Sequence, residues 1–164
     1  MSPLRCEYSL MNRKEGEEKA LAGIREHGCH ILHILEDETG PRFSYSIGIE
    51  RSSDHPELIV TGLKRELAHS IINEYNDRVR AGERFEADTP YSGFIGNFDV
   101  MFRPVLKQNY EEYFGWGRWL YKGDDFRVFQ LIWPSTKGLW PWDPDAPNDY
   151  TYFIPLLCEP FAQS

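Results

Sequence analysis

The stretch Phe43-Ser44-Tyr45-Ser46-Ile47-Gly48-Ile49, the polar break Arg51-Ser52-Ser53-Asp54 and the run His55-Pro56-Glu57-Leu58-Ile59-Val60-Thr61-Gly62 decide the fold. Successive side chains of a strand point to opposite faces, so Phe43, Tyr45, Ile47 and Ile49 share one side and Ser44, Ser46 and Gly48 the other. That second side is nearly bare. Side chains this small leave room for a packed element, a neighbouring backbone or a ligand to come close, which makes Ser44, Tyr45, Ser46, Gly48 and His55 the candidate ligand-binding residues. Glu57 to Thr61 reads as a further short strand.

Upstream, residues 13 to 27 are rich in helix formers, with Ala20, Leu21 and Ile24 on one stripe and Gly28 where a helix would end. Cys29 to Leu35 reads as a strand, and Asp37 to Pro41 turns it into an antiparallel hairpin with the Phe43 strand. Downstream, Leu67, Ile71, Tyr75 and Val79 recur every four residues, with Ala68 and Ile72 beside them, so residues 63 to 81 form a helix stopped by Gly82. Glu83 to Gly96 is broken by Gly and Pro and reads as irregular, with a short strand near Phe85. Phe98, Val100 and Phe102 alternate with Asp99, Met101 and Arg103 as a half-buried strand. Asn109 to Tyr121 reads as one helix with Tyr110, Tyr113, Phe114 and Tyr121 on one side and Trp119 projecting away from them, toward a partner. Phe126 to Trp133 is apolar on both faces, the pattern of a central, doubly covered strand. Four prolines then break up a long loop, and Phe153 to Leu157 is a last apolar piece interrupted by Pro155.

At 164 residues the chain has the size of one domain and buries roughly 70% of its unfolded surface. The expected division is an extension over 1–12 and a single α+β domain over 13–164. A formal net charge of −8 works against phosphate-backbone binding and excludes nucleic acid as the expected partner; it suits a basic protein partner, or simply keeps the chain in solution. Cys6, Cys29 and Cys158 are odd in number, widely spaced and without a Cys-x-x-Cys pair, which points to a reducing compartment. Residues 1–12 lack the apolar core of a signal peptide, and no run approaches the ~20 apolar residues of a membrane span. The expected location is therefore cytoplasmic, with no membrane partner.

Several groupings invite chemistry. His27, His30 and His33 are spaced three apart, but Gly28 ends the helix, and in a strand His30 and His33 point to opposite faces, so no metal is assigned. His55-Pro56-Glu57 sets an imidazole near a carboxylate, a pair that could serve as base and orienting group; His55 and Glu57 are the weak catalytic candidates. No Gly-x-Ser-x-Gly or His-Glu-x-x-His occurs, and Gly115-Trp116-Gly117 lacks the third glycine of a dinucleotide loop. Asp143 to Asp149 carries Pro147 and Asn148 where a calcium loop needs an acid and a glycine, and reads as a surface turn. Among the tryptophans, Trp133 is assigned to the core, Trp140 and Trp142 flank Pro141 in a loop that packs onto the body, and Trp116, Trp119, Trp140 and Trp142 are the candidate partner-binding residues.

Gly28-Cys29-His30, the Phe43 to Ile49 strand, His55-Pro56-Glu57-Leu58, Gly62-Leu63, Phe102-Arg103-Pro104-Val105, Tyr113-Phe114-Gly115, Gln130-Leu131-Ile132-Trp133-Pro134 and Gly138-Leu139-Trp140-Pro141-Trp142 together resemble, in order, the blocks of the bacterial domain-of-unknown-function family 4262 over most of residues 20 to 157. The chain departs from that family's usual wording at Cys29, where an aromatic is common, at Ser46, where threonine is usual, and at Ile49, where leucine is. The resemblance implies a fold unit and supplies no reaction, cofactor or catalytic residue.

The expected fold is one α+β domain: a mainly antiparallel, curved sheet or partial barrel of about five to seven strands, carrying two or three helices, one face covered by the helix over 63–81. The expected function is a small acidic binding module, an immunity-type or regulatory protein that masks a basic protein partner. The alternative is a small-molecule or flavin-type cofactor site, that of an oxidoreductase, over Ser44, Ser46 and Gly48 with His55 and Glu57 at its rim. An acid/base hydrolase using His55 and Glu57 ranks third.

Overall fold

The computed structural model describes residues 13–159; the 1–12 extension lies outside the described residues. Helix α1 (Arg13–His27) buries Ala20 and Ile24 and stops at Gly28, whose positive φ lets its N–H return to the Ile24 carbonyl. Strands β1 (His30–Ile34) and β2 (Phe43–Ile47) form the expected antiparallel hairpin, with Leu32 opposite Tyr45 and His33 opposite Ser44. The polar break after β2 is a short helix, α2 (Ile49–Ser53), and leads to β3 (Glu57–Thr61), antiparallel to β2. Helix α3 (Arg65–Arg80) follows, then a hairpin of β4 (Tyr91–Ile95) and β5 (Phe98–Pro104). After the short helices α4 (Tyr110–Tyr113) and α5 (Gly115–Tyr121), strand β6 (Val128–Ile132) runs parallel to β3 and antiparallel to β5. Helix α6 (Asn148–Phe153) comes last.

The sheet order is β1-β2-β3-β6-β5-β4. It is one open, mainly antiparallel sheet with β3–β6 as its single parallel pair, and the fold is α+β. β6 is interior, as its two apolar faces require. One side of the sheet packs Phe43, Tyr45, Ile47, Ile59 and Val128 under α1, α4 and α5, through Ala20, Tyr110, Trp116 and Leu120, with Phe114 from the junction of α4 and α5. The other packs Leu58, Val60, Phe102 and Leu131 under α3, through Ile71, Ile72 and Tyr75.

Three local expectations are corrected. The helix over 109–121 is broken at Phe114 (φ −119°, ψ 47°), which lets this ring turn fully into the core, edge-on to Tyr45. Trp119, three residues along α5 from Trp116, packs edge-on against that ring, with centroids 5.4 Å apart, and is half-buried against the core instead of projecting away from it. Phe85 is in no strand; it joins an aromatic cluster with Tyr75, Tyr91, Phe94 and Phe102. The strand in this region is β4, hidden from the period-two pattern by a register shift around Gly93. The apolar piece interrupted by Pro155 leads out of α6 over residues 155–157. Buried Gln130 holds them with its side-chain amide, donating to the Pro155 carbonyl (2.7 Å) and accepting from the Leu157 N–H (2.9 Å).

Gly62 and Gly82 both have positive φ, but only Gly62 is crowded: an added Cβ would lie 2.2 Å from the Phe153 carbonyl oxygen, whereas nothing lies within 4 Å at Gly82. Both alanine variants carry the backbone strain, and Gly62→Ala alone must also push α6 away. Urea denaturation is expected to show Gly62→Ala less stable than Gly82→Ala by roughly 1–3 kcal/mol.

Candidate functional site

The β2–β3 ladder ends at Tyr45 opposite Ile59, and beyond it the strands part around the carboxylate of Glu57. Oε1 accepts from the Ser46 hydroxyl (2.8 Å) and the Ile49 N–H (3.1 Å). Oε2 accepts from the Gly48 N–H (2.9 Å), the Glu50 N–H (3.1 Å) and the Tyr121 hydroxyl (2.5 Å). Gly48 makes this convergence of backbone donors: its φ of 105° is one that L side chains rarely adopt, and it aims successive N–H groups at one point, as in an anion-binding nest. The space a Cβ would fill there belongs to Ile24, 2.7 Å away. Glu57 is 1% exposed. Burial pushes its pKa up, and the hydrogen bonds from Tyr121, Glu50, Ser46 and Ile49 pull it down; burial wins, leaving it at about 7. Burial, then the Glu57 charge, raise the Tyr121 phenol in turn.

His55 does not join this carboxylate. Its Nε2 accepts from the Phe85 N–H (3.3 Å), and its ring sits among Tyr75, Phe85 and Phe129. Burial, helped by Arg84 and Arg127, holds it down at about 4. The two weak catalytic candidates are thus kept by separate sets of partners, both away from solvent.

The small-residue face lies under α3. Ser44 Oγ is 2.7 Å from His33 Nδ1, and Ser46 Oγ, besides donating to Glu57, accepts the Leu58 N–H (3.0 Å). The Tyr45 hydroxyl accepts the Trp116 N–H (3.0 Å). His33 shares the Ser44 face and His30 lies on the other, as strand geometry requires. Among the described residues, no group of three or more His, Cys, Asp or Glu side chains is placed to hold a metal ion.

Of the four candidate partner-binding tryptophans, Trp116 is core, with the Arg13 guanidinium 3.9 Å above its ring. Trp140 and Trp142 stack in parallel, with centroids 5.5 Å apart, against Ile132, Tyr150 and Ile154; they pin the proline-rich loop to the body, as expected. The open apolar surface is elsewhere. A groove of about 410 Å³ lies beside the β4–β5 turn and α6, walled by Leu63, Ile95, Phe98, Trp133 and Phe153. Trp133 is fixed there because its indole N–H donates to the Thr61 carbonyl (2.9 Å) and its own carbonyl accepts from the Tyr150 hydroxyl (2.6 Å). Alternation had placed Phe98 with Val100 and Phe102; its position at the first residue of β5, after the Gly96-Asn97 turn, is what leaves it 37% exposed.

Residues 23–147 match the family model of a domain of unknown function (DUF4262). The chain belongs to the DUF4262 family. No curated protein and no solved structure matches it. The DUF4262 match contains every strand, Glu57 and its five donors, and Trp133, and it ends just before α6.

A glutamine at position 57 would keep the shape and turn an amide N–H₂ toward hydrogen-bond donors. Glu57→Gln is expected to lower stability by roughly 2–3 kcal/mol, read by denaturant melts. The imidazoles of His30, His33 and His55 are held at about 4, below their ordinary 6.5. Each therefore contributes stability that is present above pH 6.5 and lost as pH falls toward 4. Glu57, raised from 4.5 to about 7, acts oppositely: its contribution is present below pH 4.5 and lost as pH rises through 7. Three imidazoles outweigh one carboxylate, so the melting temperature is expected to fall from pH 7 to pH 5, and less steeply in His55→Gln, which keeps an acceptor for Phe85.

Proposed function

We propose that this DUF4262 chain is a small acidic binding module, of an immunity-type or regulatory kind, that takes a basic segment of a partner protein in the groove between the β4–β5 turn and α6. The groove carries the reading. Its walls are apolar and aromatic and its size is that of a site for a few side chains, and rigid aromatic anchors of this type dominate binding hot spots. Asp149 lines it, and Asp143 and Asp145 sit on the loop entering α6, against the single lysine of the lining, Lys137. The chain's charge of −8 draws basic partners from a distance.

The alternative reading, a small-molecule or flavin-type site over Ser44, Ser46 and Gly48, has less behind it. Those hydroxyls and the Gly48 N–H already serve His33 and Glu57, and α3 covers the strand. A hydrolase built on His55 and Glu57 is weaker still, since both groups are buried, Glu57 accepts five hydrogen bonds and His55 Nε2 is taken by the Phe85 N–H.

Calorimetric titration with a lysine-rich peptide carrying leucine and phenylalanine anchors tests the groove, with its glutamate-for-lysine counterpart as control. Only the basic peptide is expected to bind, more weakly as salt rises. Phe98→Ser is expected to lose at least about tenfold in affinity, whereas Leu67→Ser, at an exposed position of α3 outside the groove, is expected to lose nothing. Equal affinity for both peptides, or an unchanged Phe98→Ser, would sink the proposal.

A further inference from the structure

We infer that a second groove, along the edge strand β1, is a binding site for a small molecule bearing an oxyanion, a phosphate ester or a carboxylate. β1 pairs only with β2, and the space along it, about 650 Å³, is walled by α1 and α3. That volume is within the range of metabolite and cofactor sites. Walls from two helices admit a slender ligand to the strand edge; a second copy of the sheet, flanked by its own helices, is kept out.

The chemistry of the walls has the sign opposite to that of the chain. Lys19 comes from α1 and Arg65 and Arg80 from α3, against the carboxylates of Glu26 and Asp77. Four of the five histidines, all but His55, also line this groove. A chain of charge −8 thus gathers three cations and four imidazoles at one place, drawn from three elements. The polar groups are also built in. Arg80 Nη1 and Asn76 Nδ2 both donate to the His27 carbonyl (2.5 and 2.9 Å), which fixes the end of α1 against α3. His33 is 2.7 Å from Ser44 Oγ through Nδ1 and 3.1 Å from His69 Nδ1 through Nε2, its ring stacked on that of His69.

A neutral imidazole has one donor and one acceptor nitrogen, so this chain of hydrogen bonds has a direction. When the Ser44 hydroxyl donates to His33 Nδ1, His33 Nε2–H donates to His69 Nδ1, and His69 Nε2 carries the remaining proton. An oxyanion in the groove selects that order, because it is met by an N–H. The field agrees: after burial, Lys19 is the largest influence lowering His30, and Arg65 the largest lowering His33, which places positive potential where the anion would lie.

This site shares no lining residue with the apolar groove, so the two proposals fail separately. The test is titration of the full chain with inorganic phosphate, glycerol 3-phosphate and citrate, followed by the histidine ring resonances in NMR. Saturable shifts of His33 and His69 are expected with at least one of these probes at low millimolar concentration. The double variant Lys19→Gln/Arg65→Gln, both exposed positions, is expected to keep its melting temperature and bind at least about tenfold more weakly, while Phe98→Ser binds as the parent does. If glycerol 3-phosphate saturates first the natural oxyanion is a phosphate ester, and if citrate does it is a carboxylate; either supports the site. No saturation with any probe, or a double variant that binds like the parent, overturns it.

Discussion

A buried carboxylate organises this fold. Moving an ion such as the Glu57 carboxylate out of water costs several kcal/mol even after relaxation, and the structure offsets part of that cost with five donors from four segments: β2, the α2 entry, α2 itself and α5. The consequences spread outward. β2 and β3 part where the carboxylate enters, Gly48 turns left-handed, α2 starts on the converging N–H groups, and Ile49 is carried into the α3-side core. Tyr121 ties the end of α5 to the same atom, and the Tyr121 hydroxyl accepts from the Arg51 N–H (3.2 Å). Two layers of the domain, α5 on one face and the β2–α2–β3 corner, meet at one functional group, and a group so engaged has no lone pair left for a substrate.

Much of the architecture was legible in the sequence because it rests on periodicity. Period two marked β2 and β5, a four-residue repeat marked α3, and two apolar faces marked β6 as interior. The bare face of β2 leaves room for a packed element, a neighbouring backbone or a ligand, and α3 is what fills it: Ser44 and Ser46 let Ile71, Ile72 and Tyr75 reach the neighbouring strand β3. Other features left no such trace. The acceptor role of Glu57 depends mainly on backbone N–H groups, which have no identity in a sequence, and on a tyrosine 64 residues away. The break at Phe114 is decided by tertiary packing, since a ring that fills the core outweighs the continuity of a short helix. β4 was hidden by its bulge, and Gln130, a polar residue in an apolar strand, gave no hint that it holds the segment after α6.

The open grooves were the least legible part, for a related reason. Trp116 and Trp119 look like surface anchors on a straight helix and become core and rim once that helix breaks. Phe98 looks like core by alternation and becomes a groove wall because it lies at the end of its strand. The spacing of His27, His30 and His33 reads as a metal motif broken by a helix–strand boundary, yet β1 presents His30 and His33 to α1 and α3, which bring the cations. The outcome is a small domain with an apolar groove beside an acidic loop at one place and a basic, histidine-lined groove at another, joined by one six-stranded sheet.

Amide hydrogen exchange at Gly48, Ile49 and Glu50 tests the role of Glu57 most directly, since only its carboxylate receives these three N–H groups outside any strand ladder. If the carboxylate organises the corner, the three amides exchange as slowly as those of β3 and the Glu57→Gln chain loses that protection before α3 does. Exchange at the rate of an open loop in the parent chain would contradict it.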